Sequence, residues 1–481
     1  MARTSTLFLV ISTLALALVA GCSDRPRRLP GGDGGPPTDG STSASCYAGG
    51  PAHVCRGTVD ITCNPDGSEG AMQACADTGR TCTNGLGCTV CRPSAGACNG
   101  NTVQRCRADG SGYDDFEVCD PAAGQACDAA TGSCVSPCEA AAATNSYIGC
   151  EYWPVATMNA GLDRATFSFA VVVSNPQTVP ATVTVTRGGA PVANATVPAG
   201  AVQTIMLPWV EALQTSTASG LIAGGAYRLV SNLPVTVYQF NPLEFQSGAT
   251  SSYTNDASLL LPTHVLTPNY VVTSRPAMVT EIVDPGFPPI IPPSTDRIES
   301  PGYFSVYAAE GGTTTVNMTF SADVVASGDG RVRAFRRGET GSFMLSQGDV
   351  LQIATATPPT CDRSGGHDND GGVDIYYCAV GPQYDLTGTE IRASAKVGVI
   401  AGHNCAFVPS NRWACDHLEE HLFPEEAWGV EAIVSVTQPL RGEPNVIRIL
   451  SGRDGNSITF DPASVHAPVT LGRGQYLEFE V

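Results

Sequence analysis

A chain of 481 residues has room for two or three domains and for sizeable buried cores. Its 26 basic against 45 acidic residues, a net charge of −19, exclude a nucleic-acid footprint and a basic amphipathic membrane helix. With 52 glycines, 35 prolines and only 15% charged residues, it suits a turn-rich β protein better than a helical one.

At the N-terminus, Arg3 precedes an apolar run from Leu7 to Ala20. The run is too short for a comfortable span and has the layout of a secretory signal. Its end, Leu18-Val19-Ala20-Gly21-Cys22, resembles a bacterial lipoprotein signal. That resemblance implies removal of residues 1–21, acylation of Cys22 as the mature N-terminus, and, with Ser23 next, sorting to the outer membrane. The lipid then holds the protein to the membrane without a span, each buried CH₂ contributing about 0.8 kcal/mol. Residues 22–45 carry almost no apolar mass and read as a disordered, flexible tether.

Of 19 cysteines, Cys22 belongs to the lipid, leaving an even 18 in an exported chain, so up to nine disulfides are expected. Twelve fall in two sets of six: Cys46, Cys55, Cys63, Cys75, Cys82, Cys88, then Cys91, Cys98, Cys106, Cys119, Cys127, Cys134. Cys63 leads to Asp66-Gly67-Ser68 and Cys106 to Asp109-Gly110-Ser111, so residues 46–90 and 91–137 read as two small repeated modules. Disulfides substitute there for a core, and the stretch before Asp-Gly reads as a short hairpin. Six cysteines allow 15 pairings, which spacing leaves open. Cys88-x-x-Cys91 also spells a zinc ribbon, but export favours disulfides.

After Cys138 the pattern becomes apolar and β-branched with Pro/Gly/Asn punctuation. Runs such as Phe167–Val173, Ala181–Thr186, Val202–Leu207, Val235–Phe240, Tyr303–Tyr307, Ile391–Ile400, Ala432–Val436 and Val446–Leu450 predict short antiparallel strands. The fold class is all-β, with two β-sandwich-like domains at 138–292 and 293–481. The Pro285–Pro293 stretch cannot enter a sheet interior and marks a loop or boundary between them. One short helix is expected around Cys415 to Leu422.

Ordered blocks in this region carry a family likeness: Tyr147-Ile-Gly-Cys-Glu-Tyr-Trp-Pro154, Phe169-Ala-Val-Val-Val-Ser-Asn-Pro176, Tyr227 to Pro242, Tyr253 to Pro262, Val399-Ile-Ala-Gly-His-Asn-Cys405, and Cys415 to Pro424 with Trp428-Gly429. From about Cys138 to the C-terminus the chain resembles the N-terminal domain of the IgGFc-binding protein family, found in animal mucus proteins and in many bacterial lipoproteins. The resemblance implies a non-catalytic extracellular binding or adhesion domain. It does not imply antibody binding.

Several constellations carry possible chemistry. His417-Leu-Glu-Glu-His421 spells an inverted zinc-protease motif, in which a helix sets His417 and His421 on one face with Glu420 as base. Pro424 ends such a helix at once, so a surface turn of helix is preferred and the zinc hydrolase stands as the alternative. His403-x-Cys405 and Cys415-x-His417 also have ligand spacing, but Cys405–Cys415, Cys361–Cys378 and Cys138–Cys150 are expected as disulfides. Asp368, Asp370 and Asp374 lie among glycines as in calcium loops, without the closing Glu, so a solvated acidic turn is preferred over calcium. Asn255 and Asp256 read as turn caps at a strand end, where sandwiches often bind ligands. No cofactor or catalytic residue is assigned. The sequence points to a lipid-anchored surface binder of an extracellular glycan or glycoprotein, with a purely structural coat protein as a second alternative.

Overall fold

The computed structural model describes residues 45–120, 124–286, 290, 292–413, 415–438, 442 and 444–481. The signal stretch, Cys22 and the tether to residue 44 lie outside the described residues. The chain divides into two compact units. One holds the described residues up to Ala95 with Cys106–Tyr113; the other holds Gly96–Arg105 with Asp114–Val481.

In the first unit the strands His53–Arg56, Val59–Cys63 and Glu69–Ala74 form one antiparallel sheet. Its turn needs Gly67, whose φ of 87° suits glycine and where a Cβ would fall 2.4 Å from the Ala48 nitrogen. Cys46–Cys63, Cys55–Cys82, Cys75–Cys88 and Cys91–Cys106 are bonded here, and Cys98–Cys127 and Cys119–Cys134 in the second unit. Within each set of six, the first cysteine joins the third, the second the fifth and the fourth the sixth. The two sets share one connectivity.

The β region of the second unit opens with helix α1 (Pro137–Ala142), started by a capping box in which Ser136 Oγ accepts from the Glu139 N–H and Glu139 accepts from the Ser136 N–H. Its first strands are β1 (Gly149–Tyr152), β2 (Phe169–Ser174), β3 (Ala181–Arg187), β4 (Ala190–Val197), β5 (Val202–Leu207), β6 (Gly220–Ile222), β7 (Tyr227–Phe240) and β8 (Ala257–Leu259). A seven-stranded sheet runs β4-β3-β7-β2-β5, with β1 and β8 also bonded to β7. Strand β7 changes partners midway: Tyr227–Ser231 pairs with β3, and Thr236–Phe240 pairs with β2.

Next come β9 (Thr267–Val271), β10 (Met278–Asp284), β11 (Ser294–Ser300), β12 (Gly302–Ala308), β13 (Thr313–Thr319), β14 (Thr340–Ser346), β15 (Val350–Ala354), β16 (His367–Asp370), β17 (Val373–Tyr377), β18 (Glu390–Ala406) and β19 (Asp416–His421). An eight-stranded sheet runs β6-β15-β12-β18-β13-β14, with β9 and β19 also on β18. A four-stranded sheet, β11-β10-β17-β16, flanks it in sequence. The prolines of 285–293 connect the paired strands β10 and β11, and β6, β9 and β10 join strands from beyond residue 292, so the sheets are shared across that point. The chain closes with β20 (Val446–Leu450), β21 (Asn456–Ile458), β22 (Val469–Leu471) and β23 (Tyr476–Glu480), paired β20–β23 and β21–β22.

Alternation explains the layering. Phe169, Val171 and Val173 of β2 and Leu229, Val235 and Val237 of β7 point into one core, joined there by Tyr307, Val350 and Ile400 of the larger sheet. Phe304 and Val306 face the opposite way, into a second core with Val316, Met318, Phe320 and Phe343. Strand β12 is therefore buried on both faces. Two expectations fail. Cys415–Leu422 is not a helix: β19 is held in a ladder along β18, Ile400 opposite His421 and His403 opposite Leu418. Ala432–Val436 is not in a strand; it runs unpaired and exposed. Among the described residues no helix is long and apolar enough to cross a membrane.

Candidate functional site

Strand β19 puts the His-x-x-Glu-His stretch on a period of two. His417, Glu419 and His421 point inward at 1–3% exposure, whereas Asp416 and Glu420 point outward. The Glu419 carboxylate accepts from Gln239 Nε2 at 3.0 Å, from Asn241 Nδ2 at 3.4 Å and from the Thr157 hydroxyl, with His417 Nε2 at 3.7 Å. The His417 ring stacks on Tyr303, and neither of its nitrogens has a hydrogen-bond partner. His421 Nε2 lies 2.7 Å from the Tyr307 hydroxyl, and burial pushes its pKa down to about 3, so it is neutral. His403, also pushed down to about 3 by burial, donates from Nε2 to the Pro276 carbonyl and accepts the Cys405 N–H at Nδ1. On the outer side, partial burial, then Asp256 and Glu419, lift Glu420 to about 7, while partial burial lifts Asp416 to about 6.

This geometry separates the residues that a zinc motif must join. His417 and His421 share a face, but Glu420 is on the other, its carboxylate accepting from Ser258 Oγ at 3.4 Å. The expected surface turn is thus a buried polar seam. Asn255 and Asp256 serve as caps: Asp256 accepts the Glu419 and Ala257 N–H groups, and Asn255 bonds the Ser252 hydroxyl and the Pro242 carbonyl. Asp374 faces the same side of the β16–β17 hairpin as Asn369, opposite it in register, and accepts from His367 and Asn369. Asp368 and Asp370 project from the other side, so the three carboxylates do not converge. Among the described residues no three His, Cys, Asp or Glu side chains are gathered as a metal would require.

Concavity is found elsewhere. A half-open cleft of about 270 Å³ is lined by Arg275, Met278, Tyr377, Phe407 and Ser410, with the rest of residues 276–279 and 377–380. Cys361–Cys378 fixes one wall, and Cys405–Cys415 closes the loop that carries Phe407, Ser410 and Trp413. Cys138–Cys150 ties α1 to β1, away from this loop in sequence. Met278, Tyr377 and Phe407 pack as one apolar cluster, and the Phe407 ring meets that of Trp413 at a tilt, centroids 5.4 Å apart. Trp413 is half exposed. Arg275 supplies charge; its guanidinium pairs with Glu478 through Nη1, and its buried Nε has no partner. The buried Tyr377 hydroxyl also lacks one. The wall comes from four separated stretches, which is why sequence reading missed it. Phe407 and Trp413 inside the short segment bounded by Cys405 and Cys415 were the available cue.

Together these features define an extracellular-type, disulfide-braced β protein with an aromatic cleft. Residues 256–481, which contain the cleft, match the family model described as IgGFc binding protein. The IgGFc-binding protein of Homo sapiens is 29% identical over 97 residues, covering 20% of this chain and 2% of the human protein. This chain therefore accounts for only a small fraction of that relative's length. No solved structure matches the chain.

Proposed function

We propose that the protein is a lipid-anchored, outer-surface binding protein that takes an extracellular glycan or glycoprotein, without catalysis. The observation that carries this is the cleft: an apolar aromatic wall, a guanidinium at its edge and two disulfides holding its loops. Ligand sites are concave and mostly apolar with a few fixed polar groups. At about 270 Å³ the cleft suits one sugar ring or one side chain, so it reads a single residue of a larger ligand. The family match at 256–481 supports the binding class, and the human relative's name speaks of IgG Fc. Antibody is not the ligand proposed here. The lipid on Cys22 anchors the molecule, and the tether and cysteine-rich modules hold the cleft away from the membrane.

The test is a glycan array probed with the acylated or soluble chain, beside Phe407→Ala and Trp413→Ala. Saturable binding to a limited set of glycans, weakened about tenfold in either variant, is the expected result, since stacked rings dominate such sites. Binding that ignores both substitutions would reject the cleft.

A further inference from the structure

The cleft carries one sign of charge in a chain whose net charge is −19. Of the residues that line it, Arg275 is charged and none is acidic. Among the described residues, the guanidinium of Arg275 makes one hydrogen bond, from Nη1 to Glu478. Its Nε is buried without a partner. The donors left over, Nε and Nη2, form the edge with which a guanidinium forks an oxyanion through two parallel N–H···O bonds. Glu478 is shared, since Arg448 Nε bonds the same carboxylate oxygen at 2.7 Å. A buried donor without an acceptor costs about 1–3 kcal/mol, and a bound anion removes that cost. The Arg275 side chain keeps 13% of its surface exposed, so the guanidinium is within reach of the cleft's contents.

The rim adds a second cation. Arg412, directly before Trp413, is exposed, and its guanidinium bonds the Asn411 carbonyl at 3.4 Å. Among the described residues no carboxylate pairs with it. Its charge is felt at the wall: burial first and then Asp368 raise the Tyr377 hydroxyl above its ordinary pKa, and Arg412 opposes them. Asp368, exposed on β16, is therefore the acid that works against an anion here. Exposed charges of this kind act through solvent and are weakened by salt. Opposite the cations lies the apolar face of Phe407, with Trp413 beside it. A pyranose presents apolar C–H faces to such rings, and an acidic one carries its charge at the edge of the ring, so one sugar residue can meet both features.

We infer, on the glycan reading above, that the residue taken by the cleft is an acidic sugar. Its oxyanion, a carboxylate or a sulfate ester, turns the Nε–Nη2 edge of Arg275 toward itself, while Glu478 holds the other end of the guanidinium. Arg412 draws the anion to the rim, and the sugar ring lies against Phe407.

The probes are oligogalacturonate, its methyl ester and a sulfated galactose oligomer, each titrated into the full chain by calorimetry. One of the two acids should bind at least about tenfold tighter than the ester, which keeps the ring and loses the charge; the tighter acid names the oxyanion. Arg275→Lys keeps a cation for Glu478 but loses the fork, and should weaken that acid about tenfold. Two exposed positions ask the same question without touching packed residues. Arg412→Gln should weaken the acid about threefold and Asp368→Asn should strengthen it by about as much, each read against the ester, and both effects should shrink in salt. Equal binding of acid and ester, or an acid that ignores Arg275→Lys and Arg412→Gln, overturns the inference while a neutral glycan that depends on Phe407 would keep the glycan reading. An oligoglutamate peptide bound as tightly as the sugar acids overturns the sugar. Absence of any glycan binding overturns both readings together.

Discussion

Asp256, Asp416 and Glu420 are three carboxyl groups whose pKa values all stand above the ordinary carboxylate range, of about 4. Burial is the first cause for each, and like charge adds to it, from Glu419 at Asp256, from Asp256 at Asp416, and from Asp256 and Glu419 at Glu420. A carboxyl raised in the folded state holds its proton more tightly there than in the unfolded chain. Its contribution to stability is present below the unfolded pKa and lost as pH rises through the folded value. The window here runs from pH 4 to about 7, the value for Glu420. Glu420→Gln keeps the acceptor for Ser258 but removes the charge, so its urea midpoint should exceed wild type at pH 8 and equal it at pH 4. The neighbouring residue behaves oppositely. Glu419→Ala takes the acceptor from the Thr157 hydroxyl and one of two acceptors from the Gln239 amide in a dry interior, and a loss of about 3 kcal/mol in urea unfolding is expected.

At the scale of elements, what the sequence could disclose depended on how far apart the determinants lie. Strands β2, β3, β12 and β18 were legible because an alternating or continuous run of Val, Ile and aromatic residues is a local property. The paired prolines and the capping box Ser136-Pro-Cys-Glu139 are local too, yet α1, at 6 residues, is too short to show a helical apolar period. Strand β19 was misread for a physical reason. His417 and His421 share a face in a helix at i, i+4 and equally in a strand, so their spacing does not decide between the two. The edge of β18 decides it, and that edge is built from residues 400–406 and lies beyond any local window. The cleft is hidden in the same way. It depends on the loop that Cys405–Cys415 closes, and removing the bridge by Cys405→Ala with Cys415→Ala should cost about 2–3 kcal/mol by loop entropy. Glycan binding should fall further than stability does, because Phe407 and Trp413 lose their fixed spacing.

Across the molecule, the two ways of holding a fold are segregated along the chain. Six of the bridges lie between Cys46 and Cys134, where the buried apolar residues of the first unit reduce to Val54, Ile61 and half-cystines. From β1 to β19 the interior is instead two large cores of aromatic and branched side chains, and only three bridges serve all of residues 138–481. Small domains without a sufficient core depend on cross-links, whereas a core of this size buries enough apolar surface to persist without them. The C-terminal strands fall between these cases. Arg448 of β20, 9% exposed in its side chain, bonds Asp385, Thr387 and the Ser274 carbonyl and pairs with Glu478 of β23. Arg473 joins Glu425 and Glu390. Reduction under native conditions should therefore unfold the chain in order. Limited proteolysis with mass spectrometry should show residues 45–134 cut first and the 149–421 core retained, with far-ultraviolet β signal largely unchanged. Arg448→Met, which leaves Asp385 buried without its cation, should bring forward cleavage after residue 444 by about 3–5 kcal/mol of lost local stability. Simultaneous loss of all regions on reduction would mean that the bridges, and not the two cores, hold the β region together.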